Sequence, residues 1–479
     1  AAAKNRRVVE IAPFAGLSEG DFLASSLEKQ LGNGLGRNPS VSVVWLGESD
    51  EPHLSPNDAD VARYVLNGIV AESASGRLLS VELKNAGSGE IVWKEKFSAE
   101  RTDLPLIVNR VSERILNVMA VEAGTQTPNK EFTHDAMAYE CYLRGRFALL
   151  RRSSEAFKTA LKHFDNAINL DPNFALPYTG RADVYFLMNS YSSEPGEDLI
   201  KQAETNALRA LTIDPELAEA HASYGAIKST DPLSTELAET HFRRAIELNP
   251  SYAPARHWFA HFLMNQGRNE EALSEIENAI RAEPRSSVIH SNRAVILHRL
   301  GRNDEASQSY DRAIELDREN LVPYLTKSAF QQRTGDYDGA VRTIEQVKTI
   351  SPSPEVDAVI EIMNAQASAN RGDSAAAKAQ LRAFLGNSKF KKSPSAFASD
   401  IAVVYLLLGD ADNAFRWLGR VKNPMIKRDL AEDVRFRSLM NDARFVKLID
   451  QRRDRSDAEF PIQIAPAAAD AFGATVIDI

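Results

Sequence analysis

Two hydrophobic periods divide this chain, and the change falls near residue 135. Ahead of it, Arg7–Phe14 is a short apolar run closed by Pro13 and Gly16, the pattern of a buried strand. Ser18–Leu31 carries Phe22, Leu23, Leu27 and Leu31 at helical spacing behind a serine cap, and Gly32 is its predicted stop. Val41–Leu46 reads as a second strand and Ser55–Arg63 as a short helix opened by Ser-Pro. Three strands follow, Arg63–Glu72, Leu78–Asn85 and Glu90–Phe97, joined by tight turns at Ala74-Ser75-Gly76 and Gly87-Ser88-Gly89. Leu79, Val81 and Leu83 alternate with Ser80, Glu82 and Lys84, so this hairpin has one covered and one wet face. Leu106–Met119 closes the region as an amphipathic helix. Residues 6–122 therefore predict a small α/β domain, and the polar stretch 123–134 a linker.

Beyond the linker the period becomes helical and the sequence repeats. The segments beginning at Ala160, Ala203, Ala238, Ala272, Ala306 and Ala340 are variants of one helix, and from Ala238 to Ala340 they recur every 34 residues. Weaker copies begin at Ala377 and Ala414. Gly267, Gly301, Gly335, Gly372 and Gly409 each stand five residues ahead of such an alanine. A first helix with small residues at its centre, such as Ala260 or Ala294, then turns at the glycine into a second helix that a proline ends. One such pair cannot bury its apolar face, so successive pairs must stack into an all-α solenoid over 135–423. Asn441–Asp450 reads as a closing cap within capping helices at 424–452, and 453–479 as a flexible tail.

These units resemble the tetratricopeptide repeat in their spacing and in their Ala, Phe-like, Ala and Pro positions. Arg318 replaces the terminal proline of one unit, Ser229–Thr235 carries a loop containing Asp231-Pro232, and Tyr191–Gly196 is an insertion. The N-terminal segments VVEIAPFAGLS, ARYVLNGIV and LLSVELKNAGSGEIVWKEKF resemble the TolB-type domain found ahead of tetratricopeptide repeats in bacterial signalling proteins. NFALPYTGRADVYF and PELAEAHASYGAI resemble the repeat region of that group. The resemblance implies an α+β chain, a TolB-like domain followed by an α-solenoid, that acts without catalysis as the sensory or partner-binding half of a larger protein. In that group the output half is a winged-helix DNA-binding domain with one membrane helix, as in CadC-like regulators, or a class III nucleotide cyclase. A free-standing periplasmic adaptor is the third alternative.

Composition narrows the chemistry. The net charge of −9, from 57 Lys and Arg against 66 Asp and Glu, argues against direct nucleic-acid binding. A start at AAAKNRR without methionine predicts a processed or truncated product, and attachment to a membrane would come only through a segment upstream. Periplasm and cytoplasm both stay open, as does self-association. The single cysteine, Cys141, has no positioned base and reads as a small buried hydrophobe. GNGLG (Gly32–Gly36) follows a helix instead of joining a strand to one, so a helix C-cap and loop is expected, not a phosphate cradle. His257 and His261 stand one turn apart, but no third ligand accompanies them, and no metal or cofactor is predicted.

One constellation remains. Corresponding positions of consecutive first helices should share one face: His257, His261, Met264 and Asn265, then Ser291, Val295, His298 and Arg299, then Leu325, Gln332 and Arg333. This stripe is apolar and cationic in an acidic chain, which suits a protein or peptide partner with acidic groups. The competing reading is a groove filled by the chain's own N-terminal domain or tail.

Overall fold

A computed structural model describes residues 7–16, 22–38, 40–46, 62–73, 76–99, 104–119, 133–149, 154–191, 197–352, 354–386, 397–421, 430 and 433–450. The predicted linker up to residue 132, the body of the predicted helix at 55–61 and the tail lie outside the described residues.

The N-terminal elements are β1 (Arg7–Ile11), α1 (Phe22–Gly36), β2 (Val41–Trp45), β3 (Ala62–Ser73), β4 (Gly76–Asn85), β5 (Ile91–Ala99) and α2 (Leu104–Val118). They form a five-stranded sheet ordered β2-β1-β3-β4-β5. β1 runs parallel to β2 and β3, with Val9 opposite Val43 and Tyr64, and β3 to β5 form an antiparallel meander with Leu66 opposite Leu83. The alternation in β4 is obeyed: Leu79, Val81 and Leu83 are fully buried, whereas Ser80, Glu82 and Lys84 are half-buried. Leu27, Leu31 and Leu35 of α1 and Val111 and Ile115 of α2 complete that core, each fully buried side chain contributing about 1.5–3 kcal/mol.

Three boundaries differ from the sequence reading. β1 ends at Ile11, because Pro13 offers no amide to the ladder and Phe14 turns over Gly68, where a Cβ would stand 2.3 Å from its ring. Ala62 and Arg63 belong to β3, so no helix reaches Arg63. α1 does not stop at Gly32 but continues to Gly36, which overturns the C-cap and loop reading of GNGLG. Its glycines answer to close approach: a Cβ on Gly32 would meet Trp45 at 2.3 Å, one on Gly34 the Ser112 hydroxyl at 3.1 Å, and one on Gly36 Ser251 at 2.5 Å. Each costs the helix about 1 kcal/mol against alanine, so this turn is held by its neighbours and not by propensity.

Among the described residues eight helix pairs follow: α3 (Ala136–Leu149) with α4 (Ser154–Leu170), α5 (Ala175–Tyr191) with α6 (Glu197–Ile213), α7 (Ala218–Lys228) with α8 (Thr235–Leu248), and α9 (Ala253–Asn265) with α10 (Asn269–Ala282). Then come α11 (Ser287–Arg299) with α12 (Asn303–Leu316), α13 (Leu321–Arg333) with α14 (Tyr337–Ile350), α15 (Pro354–Asn370) with α16 (Ser374–Gly386), and α17 (Ala398–Leu407) with α18 (Ala411–Leu418). A 3₁₀ turn at Val434–Leu439 and α19 (Ala443–Asp450) end the described chain. The five glycines between first and second helices from Gly267 to Gly409 have φ between +77° and +86°, the left-handed geometry that lets the chain reverse. The small first-helix positions are packing sites. The Phe164 ring of α4 lies against Gly145 of α3 and Gly180 of α5, where a Cβ would come within 2.5 Å and 2.4 Å.

The chain divides into two compact units, residues 1–189 with 195–289, and 190–194 with 290–479. Among the described residues no helix is long and apolar enough to cross a membrane.

Candidate functional site

The predicted stripe falls on both compact units, and each part is described within its own. In the first unit, His257, His261 and Met264 of α9 are buried, while Asn265 is exposed and its amide donates to His261 Nδ1 at 3.3 Å. Their helix also carries Trp258, Phe259 and Phe262, which pack on Phe242 and Phe186 as inter-repeat core. The two histidines are therefore set among packing residues, and among the described residues no group of three or more metal-ligating side chains is assembled.

In the second unit, Ser291, Leu325 and Gln332 are buried, Val295, His298 and Arg333 are half-buried, and Arg299 is exposed. His298 Nδ1 donates to the Asn303 side-chain oxygen at 2.9 Å, and the ring lies edge-on to Phe330 at 5.1 Å. Burial, together with the charges of Arg333 and Arg299, holds its pKa below the usual histidine value, against the pull of Asn303. The stripe's charge at neutral pH therefore comes from the two arginines and not from His298.

The cap supplies a neighbour that no sequence signal announced. Arg435 donates to Gln332 Oε1 at 2.9 Å and to Asp400 Oδ1 at 3.2 Å, and pairs with Asp433 at 2.7 Å. Burial pushes the Asp433 carboxyl up, but Arg435, with help from Arg333, holds it below the ordinary carboxylate range. Arg333 keeps a buried Nε that has no hydrogen-bond partner. The Arg333 charge thus lies near the buried Asp433 carboxylate.

A family model described as tetratricopeptide repeat matches residues 259–320, and a second matches residues 241–274. The chain carries tetratricopeptide repeats. Transcriptional regulator HilA of Salmonella typhimurium is similar, 21% identical over 224 residues, which is 46% of this chain and 40% of that protein. Protein O-mannosyl-transferase Tmtc1 of Drosophila melanogaster is 28% identical over 29% of this chain and 16% of that protein. The chain spans less than half the length of these curated relatives. Among solved structures, that of Pseudomonas aeruginosa pilF covers 45% of this chain and 97% of its own at 20% identity and a TM-score of 0.33. YrrB, titled a TPR protein with an unusual peptide-binding site, covers 38% and 88% at 25% identity and a TM-score of 0.25.

The first tetratricopeptide repeats hold a polar cluster that the sequence reading missed. Arg146 of α3 pairs with Asp183 of α5 at 2.6 Å, and Asp183 accepts the Ser223 hydroxyl of α7 at 2.5 Å. One turn earlier on α7, Glu219 pairs with Arg37, just past the end of α1, at 3.0 Å. Lys29 reaches Glu283 at 3.2 Å, and the Asn249 amide donates to the Asn33 carbonyl at 3.5 Å. The N-terminal elements and the first helix pairs are thereby tied together within one compact unit. The available signal was the charge on otherwise apolar first helices, as at Arg146 and Asp183. Cys141, on α3, is half-buried, and burial pushes its thiol pKa up.

Proposed function

We propose that this chain is the non-catalytic, partner-binding half of a bacterial transcription regulator, with a TolB-like N-terminal domain and a repeat array that recognises an acidic protein or peptide segment. Tetratricopeptide-repeat arrays are protein-interaction modules, and HilA supports the regulatory setting. The single observation that carries the acidic preference is the pair of cations Arg299, exposed, and Arg333, half-buried, in one compact unit. Within the same unit as the arginines, Ser291, Leu325 and Gln332 are buried and Val295 and His298 are half-buried, whereas His257, His261, Met264 and Asn265 belong to the first unit.

Titration of a fluorescent glutamate-rich peptide against the full chain tests the reading. Saturable binding that weakens with salt supports it; no preference for the glutamate peptide over a lysine-rich one of equal length refutes it.

A further inference from the structure

The geometry points to the Gly32–Gly36 turn of α1 as a latch, helical while the α/β domain is seated on the first repeats and melted when that seat is lost. Three glycines in five residues make it the weakest helical stretch the local sequence could supply. It is held from three sides. Gly32 lies against Trp45 and Ile11 of the sheet, Gly34 against Ser112 of α2, and Gly36 against Ser251 and Asn249 between α8 and α9. Only the third contact belongs to the repeats.

The seat beside that contact is ionic. Arg37 follows the glycine turn directly and ends on Glu219, whose side chain is 8% exposed. Glu219 spends one carboxylate oxygen on Arg37, and its other oxygen is buried without a partner. Loss of Arg37 would therefore leave a buried, unpaired carboxylate, so seating the domain and satisfying Glu219 are one event. Lys29 on Glu283, two turns back along α1, is the outer half of the same seat and is more exposed to salt. Ahead of the latch, Leu27 and Leu31 are fully buried, and the helix packs on α2, β2 and β3 as well as on α3. Unseating should accordingly melt the glycine turn while the rest of the α/β domain keeps its core. Such a turn would let an event on the repeats reach the sheet through α1.

Hydrogen exchange of backbone amides in the full chain tests this. Glu219→Gln is expected to speed exchange over residues 31–38 by roughly tenfold or more, with α4 and residues 24–29 unchanged. Arg37→Gln, a change on the partly exposed partner, repeats the test if Glu219→Gln does not fold, and the parent in 1 M KCl repeats it without mutation. Unchanged exchange at 31–38 in these conditions overturns the latch, as does acceleration spread evenly over the whole chain.

Discussion

Arg435 Nη1 donates to the side-chain oxygen of Gln332 at 2.9 Å across 103 positions of chain. The same guanidinium holds Asp433 and Asp400, so one buried cation ties the cap to α13 and α17. Arg435→Ala would strand Asp433 in a site only 6% exposed, and we expect a loss of about 3–5 kcal/mol in urea unfolding. The double variant Arg435→Ala with Asp433→Asn should lose less than the single one, because the stranded charge is gone. Equal losses would show that packing, not charge, is what Arg435 supplies.

The pair His221 and His241, Nδ1 to Nδ1 at 2.9 Å, sets an acid sensitivity. Burial first, and His221 second, push His241 down to about 4. Its folded pKa lies below the unfolded value of about 6.5, so the unfolded chain binds more protons between those limits. The stability is fully present above pH 6.5 and is lost as pH falls toward 4. His241→Asn should flatten the fall in melting temperature between pH 7 and pH 5; an unchanged fall would place the sensitivity elsewhere.

Gly301 has φ of +77° and open space where a Cβ would point. Replacement by alanine is therefore a pure backbone cost, about 1 kcal/mol, and Gly301→Asn should cost less because asparagine tolerates that conformation. Thermal melts of the two variants give the order. Asparagine as damaging as alanine would count against the left-handed turn.

These cases also show where the sequence was legible. The alanine spacing and its glycines announced the helix pairs, because each pair must repeat the same packing of a ring, such as Phe164, on a bare Cα, such as Gly180. The strand alternation at Leu79, Val81 and Leu83 was equally plain. α1 was cut short because glycine signals both a helix end and a close approach, and only the neighbours Trp45, Ser112 and Ser251 distinguish the two. His257 and His261 were placed on a partner face although they are buried, since helical period alone does not separate a groove from an inter-repeat contact. Arg435 carried no local signal at all, because its partners Gln332 and Asp400 come from other helices.

The most direct test of the account is the affinity of a glutamate-rich peptide for the parent, for Arg299→Glu with Arg333→Glu, and for Leu325→Ala, each at two salt concentrations. Charge-assisted contacts contribute roughly 1.5–3 kcal/mol where water is excluded and less where it is not. The account predicts that the double reversal weakens binding at least tenfold and blunts its salt dependence, while buried Leu325→Ala leaves the salt response unchanged. Equal affinity of all three proteins at both salt concentrations would contradict it.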